Sequence, residues 1–428
     1  MPARELAVRL NETIFSMTPR IESLKTENTL VQRSMAESEY PARPVFEVAI
    51  VMPCLNEAET VGTCVRKAMR WMQEAGVNGE IIVADNGSSD GSQNLAEAAG
   101  ARVVAVAEKG YGSALVAGIA AARSKYVIMG DADDSYDFGR LTPFLTKLRQ
   151  GYDLVQGCRL ASGGGIVSPG AMPLSHRWIG NPLFSLLART WFNAPVHDIY
   201  CGMRGFTKEF FQRLDLRCTG MEFATEMIIK ASLNNERIAE VPITLHRDGR
   251  KTRAPHLKTL RDGWRTLRFF LICTPRWLFL IPGLLLILLG MVGYAIALPG
   301  LTFAGVTFDA HTLLFASLAL LCGFQAVVFA VLSKLFGITE GLLPADPRLD
   351  RAFNYITLEL GLAGGAVALI AGCGLLMAAV LVWRAAGWGR LDYSEVMRLV
   401  IPGATFTALG FQAVLSSFFM SILGMKRK

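Results

Sequence analysis

Two patterns of apolar spacing divide the chain. From residue 46 to residue 130, apolar runs of strand length alternate with helix-like segments. Phe46–Met52 (FEVAIVM), Glu80–Ala84 (EIIVA), Arg102–Ala107 and Tyr126–Gly130 (YVIMG) read as strands, with helices expected at Glu59–Ala75, Ser92–Ala99 and Ser113–Ala122. Short β-branched runs alternating with helices predict βαβ units and a mostly parallel sheet. The second pattern begins later. Residues 277–308, 310–333, 360–383 and 399–425 contain no Asp, Glu, Lys or Arg. Each is long enough for the roughly 20 residues that cross a hydrocarbon core. No such run precedes residue 277. The expected organisation is an arm over 1–44, ending in Tyr40-Pro-Ala-Arg-Pro44, then an α/β module over 45–256, an amphipathic helix over 257–275 and a four-helix membrane module over 276–428.

The membrane module repeats itself. Gly-Phe-Gln-Ala-Val occurs at 323–327 and again at 410–414, an offset of 87, and each copy has a Gly fourteen residues on, at 337 and 424. Two hairpins are predicted, 277–298 with 311–336 and 358–383 with 399–424. The plain reading is a duplicated anchor. Transport would need polar groups in the spans, and Gln325 and Gln412 are the only long amides there.

Composition agrees with this division. Apolar residues make up 52% of the 428-residue chain and mean hydropathy is +0.35, which excludes a disordered or collagenous chain. Lys and Arg number 43 against 36 Asp and Glu, a net charge of +7. That excess is local. Residues 246–276 hold nine basic residues and two acids, again +7. Within 257–271, Leu257, Leu260, Trp264, Leu267 and Leu271 follow helical spacing, and Lys258, Arg261, Arg265 and Arg268 follow it one residue on. An apolar stripe beside a cationic one predicts a helix lying in the membrane interface. His176–Phe192 is a second, less regular candidate. A span follows almost at once, so membrane proximity explains the basic stretch and no nucleic-acid partner is expected. Basic residues near the span ends count ten to three in favour of the α/β module and both termini facing the cytoplasm. The eight cysteines form no C-x-x-C and suit reduced thiols. The first twenty residues contain no apolar h-region, so no signal peptide is expected.

In open α/β sheets ligands bind beyond the carboxyl ends of the strands. There the chain places Pro53-Cys-Leu-Asn-Glu57, Asp85-Asn-Gly-Ser-Ser-Asp-Gly91, Glu108-Lys-Gly-Tyr-Gly-Ser113 and Asp131-Ala-Asp-Asp134. Any one is ordinary turn or capping chemistry; four in succession gather acids, amides, glycines and a lysine on one edge. Asp131 and Asp133 can share a hard cation whose shell is completed by water and substrate phosphates. Glu57 and Asp85 can accept hydrogen bonds from a base or ribose.

This constellation resembles the family 2 glycosyltransferases of GT-A fold, through P-x-x-N-E at 53–57, D-N-G-S-S-D-G at 85–91, K-G-Y-G-S-A at 109–114 and D-A-D at 131–133. Gly157-Cys-Arg159, Asp198-x-x-Cys-Gly-Met-Arg204, Glu222-Phe-Ala-Thr-Glu226 and Val241-Pro-Ile243 narrow it to the branch of dolichol-phosphate mannose synthase and undecaprenyl-phosphate glucosyltransferase. The resemblance covers about residues 46–255. It implies an α/β GT-A domain with a Rossmann-like mixed sheet, followed here by four transmembrane helices in two repeated hairpins. It assigns the donor to Pro53, Leu55, Glu57, Val83, Asp85, Lys109, Asp131 and Ala132. Asp131 and Asp133 become the catalytic pair that holds Mg2+ or Mn2+, and Arg159 and Arg204 become phosphate ligands. The branch usually carries R…S-K soon after V-P-I. Here the text is His246-Arg-Asp-Gly-Arg-Lys-Thr-Arg253, which leaves Arg247, Arg250 and Arg253 as candidates for the acceptor phosphate.

The implied reaction moves a single sugar from a nucleotide sugar, a UDP-sugar ahead of GDP-mannose, to a polyprenyl phosphate at the cytoplasmic membrane face, with inversion. Homo-oligomers through the membrane helices are compatible with it. A processive polysaccharide synthase is the runner-up, but its Q-x-x-R-W is absent and Thr225-Glu-Met227 does not match its T-E-D base. A non-enzymatic lipid-linked-sugar carrier is the third reading, and the intact Asp131 and Asp133 count against it.

Overall fold

A computed structural model describes residues 45–250 and 259–424, apart from 304, 342, 348, 350 and 352–356. The 1–44 arm, residues 251–258 (with Leu257, Lys258 and the acceptor candidate Arg253) and the 425–428 tail lie outside the described residues, as do the side chains of 259–262, 303 and 306.

In chain order, β1 (Phe46–Cys54), β2 (Gly79–Asp85), β3 (Arg102–Ala105), β4 (Ser124–Met129) and β5 (Leu154–Cys158) are separated by α1 (Val61–Ala75), α2 (Ser92–Ala98), α3 (Tyr111–Ala121) and α4 (Thr142–Arg149). Then come β6 (Ile166–Val167), α5 (Asn181–Phe192), β7 (Arg204–Thr207), α6 (Lys208–Leu214), α7 (Glu222–Leu233), β8 (Ile238–Pro242) and β9 (Thr244–Leu245). Seven strands form one sheet in the order β3-β2-β1-β4-β7-β5-β8. β7 runs antiparallel to both neighbours, and the other pairings are parallel. The sheet is therefore mixed, with its β1–β4 half as the apolar spacing predicts.

Both faces are covered, which is why β1 reads as a continuous apolar run from Val48 on. Its residues still alternate. Val48, Ile50 and Met52 enter one core cluster with α1 and α4, while Ala49 and Val51 enter the other with α3 and α5–α7. Gly118 lets α3 settle on the sheet, because a Cβ there would lie 2.7 Å from Val51 Cγ1 and 3.0 Å from Ala84 Cβ.

Helix α8 (Thr259–Cys273) packs differently from its apolar stripe. Among its described side chains the buried positions are Thr266 and Phe270, one turn apart, whereas Trp264 of the expected stripe is 61% exposed. The reason is the aromatic wall of α5. Phe270 meets Phe184, Trp191 and Phe192 at centroid distances of 5.9, 6.3 and 5.3 Å. Of the described stripe residues, Trp264 faces outward, and Leu267 and Leu271 are half-buried beside this contact.

A π-helical turn at Arg276–Leu280 leads into α9 (Ile281–Ala297), followed by α10 (Ala310–Thr339), α11 (Leu358–Ala385) and α12 (Tyr393–Gly424). Counting the π-helical turn with α9, as Arg276–Ala297, all four are long and apolar enough to cross a membrane. The repeated Gly-Phe-Gln-Ala-Val marks the hairpin crossings. A Cβ on Gly323 would sit 2.7 Å from the Gly283 carbonyl oxygen, and one on Gly410 2.7 Å from that of Gly365. Small residues at such crossings let the helices pack backbone to backbone. Tyr294 of α9 joins the hairpins, its hydroxyl 2.7 Å from Ser317 Oγ and 3.1 Å from Thr405 Oγ1.

Candidate active site

The loops that follow β1 and β2 hold each other. Asn56 adopts φ 59°; its Oδ1 accepts the Ser89 N–H at 2.9 Å and its own N–H donates to Ser88 Oγ at 2.8 Å. The Glu57 N–H donates to Ser92 Oγ at 2.8 Å. Asp85 is buried and accepts from Gly87 N, Ser88 N and Gln93 Nε2 at 3.0, 3.1 and 2.6 Å. Burial pushes its carboxyl up, but the hydrogen bonds from Ser88, Gln93 and Gly87 hold it below the ordinary range. Asn86 reaches the next loop, with Nδ2 donating to the Val106 and Glu108 carbonyls and Oδ1 accepting the Gly110 N–H. Lys109 folds back over β2, its Nζ 2.6 Å from the Asn86 carbonyl oxygen.

The Lys109–Ser113 loop is pressed against residues 218–220. A Cβ on Gly110, at φ 146°, would lie 2.2 Å from the Thr219 carbonyl oxygen, and one on Gly112 2.4 Å from that of Cys218. The Ser113 N–H donates to the same Thr219 oxygen at 3.2 Å. This contact aims Tyr111, whose hydroxyl donates to Asp131 Oδ1 at 2.8 Å. Burial, then the Asp131 charge, raises the phenol well above its ordinary range, so it stays a donor at neutral pH. Burial and then the Asp133 charge push the Asp131 carboxyl up to about 6.

Asp133 Oδ1 accepts from Ser135 N and Oγ at 3.0 and 2.6 Å. Residues 246–250 run along this turn, the His246 N–H on the Ser135 carbonyl and the Gly249 N–H on the Asp133 carbonyl, both at 2.9 Å. The strap delivers Arg250. Its Nε donates to Glu57 Oε2 at 2.8 Å and its Nη2 to the other oxygen of that carboxylate. Nη2 is 3.7 Å from Asp133 Oδ2, and Nη1 is 2.9 Å from Asp248 Oδ2. Burial works against the guanidinium charge, yet Glu57, Asp133 and Asp248 hold its pKa above the ordinary value.

Among the described residues no three or more His, Cys, Asp or Glu side chains gather as a metal cluster. Asp131 and Asp133 still fit a hard divalent cation. Mg2+ binds through one or two carboxylates and completes its shell with water and substrate phosphates. Burial raises the Asp131 carboxyl most and the Asp133 charge next, and a cation would offset that repulsion.

Other expected site residues differ in burial and in the partners they already hold. Arg204 is fully buried and donates to the carbonyls of Ile199, Cys201 and Ala224. This corrects its assignment as a phosphate ligand: it pins the loop before β7 to α7. Gly202 on that loop presses bare backbone on Asp131, since a Cβ there would be 2.7 Å from Oδ2. Arg159 forms a two-pronged pair with Asp198, at 2.7 and 2.9 Å, and is nearly buried. The Val83 and Ala132 side chains belong to the core, Pro53 is half-buried and Leu55 is exposed. Arg247 is exposed and donates to the Pro169 carbonyl at 2.7 Å. Sequence reasoning did not single out Tyr111, Asn86 or Gly202. All three lie inside the motifs it quoted, which was the only signal available.

The Glycosyl transferase family 2 profile matches residues 49–215. A second profile, the Glycosyltransferase family 2 C-terminal transmembrane region, matches residues 331–424. The low-salt glycan biosynthesis hexosyltransferase Agl6 of Haloferax volcanii is 35% identical over 382 residues, which cover 88% of this chain and 89% of that protein. The dolichyl-phosphate hexose transferase of the same organism is 32% identical over 198 residues, 46% of this chain and 82% of that one. A solved glucosyl-3-phosphoglycerate synthase of Mycobacterium tuberculosis, in complex with Mn2+ and UDP, aligns with 53% of this chain and 79% of its own at 22% identity and a TM-score of 0.41. The chain belongs to glycosyltransferase family 2. It is a membrane glycosyltransferase with an α/β GT-A domain and a four-helix C-terminal region.

Proposed function

We propose that this glycosyltransferase moves one sugar from a nucleotide sugar, a UDP-sugar ahead of GDP-mannose, to a polyprenyl phosphate at the cytoplasmic membrane face. The observation that carries the reading is Arg250. It stands beside the carboxylate pair at the end of the 246–250 strap, and α8 and the first span come next in the described chain. Its Nε and Nη2 already hold Glu57 and its Nη1 holds Asp248, so a lipid phosphate would meet the second protons of Nη1 and Nη2, where a fixed cationic donor pair suits it. The relative named as a dolichyl-phosphate hexose transferase favours the same acceptor class.

In this reading Glu57, Asp85 and Lys109 hold the nucleotide, and Pro53 and Leu55 border it. Asp131 and Asp133 hold Mg2+ or Mn2+, which when bound neutralises charge on the departing diphosphate. Arg250 and Arg247 receive the acceptor, and Arg159 supports them from its pair with Asp198. A phosphate oxygen attacks the anomeric carbon opposite the nucleotide. The new C–O bond forms as the old one breaks, nucleoside diphosphate leaves with the electron pair, and configuration inverts. No general base is required, because a phosphate monoester is already anionic near neutral pH, its second pKa being about 6. Outward Trp264 and Arg268 of α8, with exposed Trp178, Ile179, Leu183 and Leu186, suit the headgroup layer.

Membranes carrying the protein, incubated with labelled UDP- and GDP-sugars, test the proposal by mass spectrometry of the extracted lipid. A single hexose on polyprenyl phosphate is expected. Label in a long polymer would indicate a processive synthase instead.

A further inference from the structure

The Asp131 carboxylate is held from two sides. Tyr111 sits in the first turn of α3, its ring packed on the core cluster that includes Leu115 and Ile119. The ring is thereby fixed, and its hydroxyl meets Asp131 Oδ1 at 2.8 Å. On the other side, the position of a Cβ on Gly202 is 2.7 Å from Oδ2, and the Gly202 N–H is itself tied to Tyr136 Oη at 2.9 Å. An aspartate side chain ordinarily turns through a broad χ2 range. Here one oxygen is fixed by a phenol and the other is confined by backbone. A ligand held in place before its ion arrives loses less freedom on binding. Partners that orient first ligands in this way govern metal affinity.

We infer that Tyr111 is a positioning residue of the metal site, its hydroxyl keeping Asp131 in the orientation that takes up a divalent cation. The inference rests on the assignment of that cation to Asp131 and Asp133. It goes beyond it by giving a role to the tyrosine of Lys109-Gly-Tyr-Gly-Ser113, which touches neither donor nor acceptor in the proposed reaction. The glycines at 110 and 112 gain a purpose as well: only without side chains can this loop lie on residues 218–220 and bring the phenol within reach.

The test uses the full-length chain in nanodiscs and its Tyr111→Phe variant. Mn2+ is titrated at fixed UDP and followed by the electron paramagnetic resonance of free Mn2+. In parallel, sugar transfer is measured against Mn2+ concentration and Tm is recorded. Tyr111→Phe should weaken Mn2+ binding roughly ten- to hundredfold. At saturating Mn2+ its kcat should return close to wild type, and Tm should stay unchanged. Wild type that binds no Mn2+ would remove the metal assignment and this inference together. Wild type that binds Mn2+, with a Tyr111→Phe variant of equal affinity, would overturn the inference alone. A variant with lowered Tm and a kcat that excess Mn2+ does not restore would make Tyr111 a structural residue and overturn it too.

Discussion

At the scale of single residues, Asp131 and Arg250 each face competing demands. Asp131 must be ionised to hold a cation, yet burial and Asp133 push its carboxyl up to about 6. Below that pH a proton competes with the metal. Mn2+ affinity should therefore rise by up to about tenfold per pH unit from pH 5 toward 6, and level off by pH 7 to 7.5. Calorimetry in buffers of different ionisation enthalpy should find a proton released on Mn2+ binding at pH 5.5 and almost none at pH 7.5. A flat profile would mean that Asp131 is already ionised at pH 5. Arg250 neutralises Glu57, and both side chains are nearly buried, at 12% and 6% exposure. Arg250→Ala leaves that carboxylate unpaired, so it should cost on the order of 3 kcal/mol of stability, as well as raising KM for polyprenyl phosphate. Arg250→Lys keeps the charge and loses the fork, so it should fall between wild type and alanine on both measures. Equal KM values for all three forms, at matched folded fractions, would take Arg250 out of the acceptor site.

At the scale of elements, the loops are shaped by close approaches that a sequence shows only as glycine. A Cβ on Gly112 would lie 2.4 Å from the Cys218 carbonyl oxygen and 2.9 Å from the Thr219 carbonyl carbon. Those are backbone atoms that cannot rotate away. Gly112→Ala should destabilise the protein by about 1–3 kcal/mol and weaken Mn2+ binding along with it, because the loop that carries Tyr111 is displaced. An unchanged Tm and Mn2+ affinity would mean that the 218–220 segment yields freely. The same contrast explains which features could be read in advance. β1, β2 and β4 and the two membrane hairpins were legible because period and run length are local properties. The placement of Asp131, Asp133 and Glu57 at one sheet edge was legible because they follow strands. Arg204 was not, since an arginine in a motif looks alike whether its partner is a phosphate or three carbonyls of the fold. Nor was the buried face of α8: Phe270 is selected by Phe184, Trp191 and Phe192, which lie far off in the chain.

At the scale of the whole molecule, the membrane region and the carboxylate pair are joined by a short series of contacts. Arg217 Nη1 donates to the carbonyl of Glu340, the capping residue just past the end of α10, at 3.1 Å. Helix carboxyl ends favour such cations. The next residues, Cys218 and Thr219, are the backbone on which Gly112, Gly110 and Ser113 rest. Tyr111 between them holds Asp131. Arg217 is half exposed and also pairs with Asp215 at 2.8 Å, so its hold on α10 is modest. Arg217→Ala should weaken Mn2+ binding only about two- to fivefold, the size of an exposed polar contact. Spatial succession alone does not establish coupling, and a double-mutant cycle measures it. If Arg217 acts on the metal site through Tyr111, Arg217→Ala should have no further effect on Mn2+ affinity in a Tyr111→Phe background. Losses that simply multiply would show that Arg217 reaches the site by another route. No loss in either background would mean that α10 anchors the catalytic domain without tuning it.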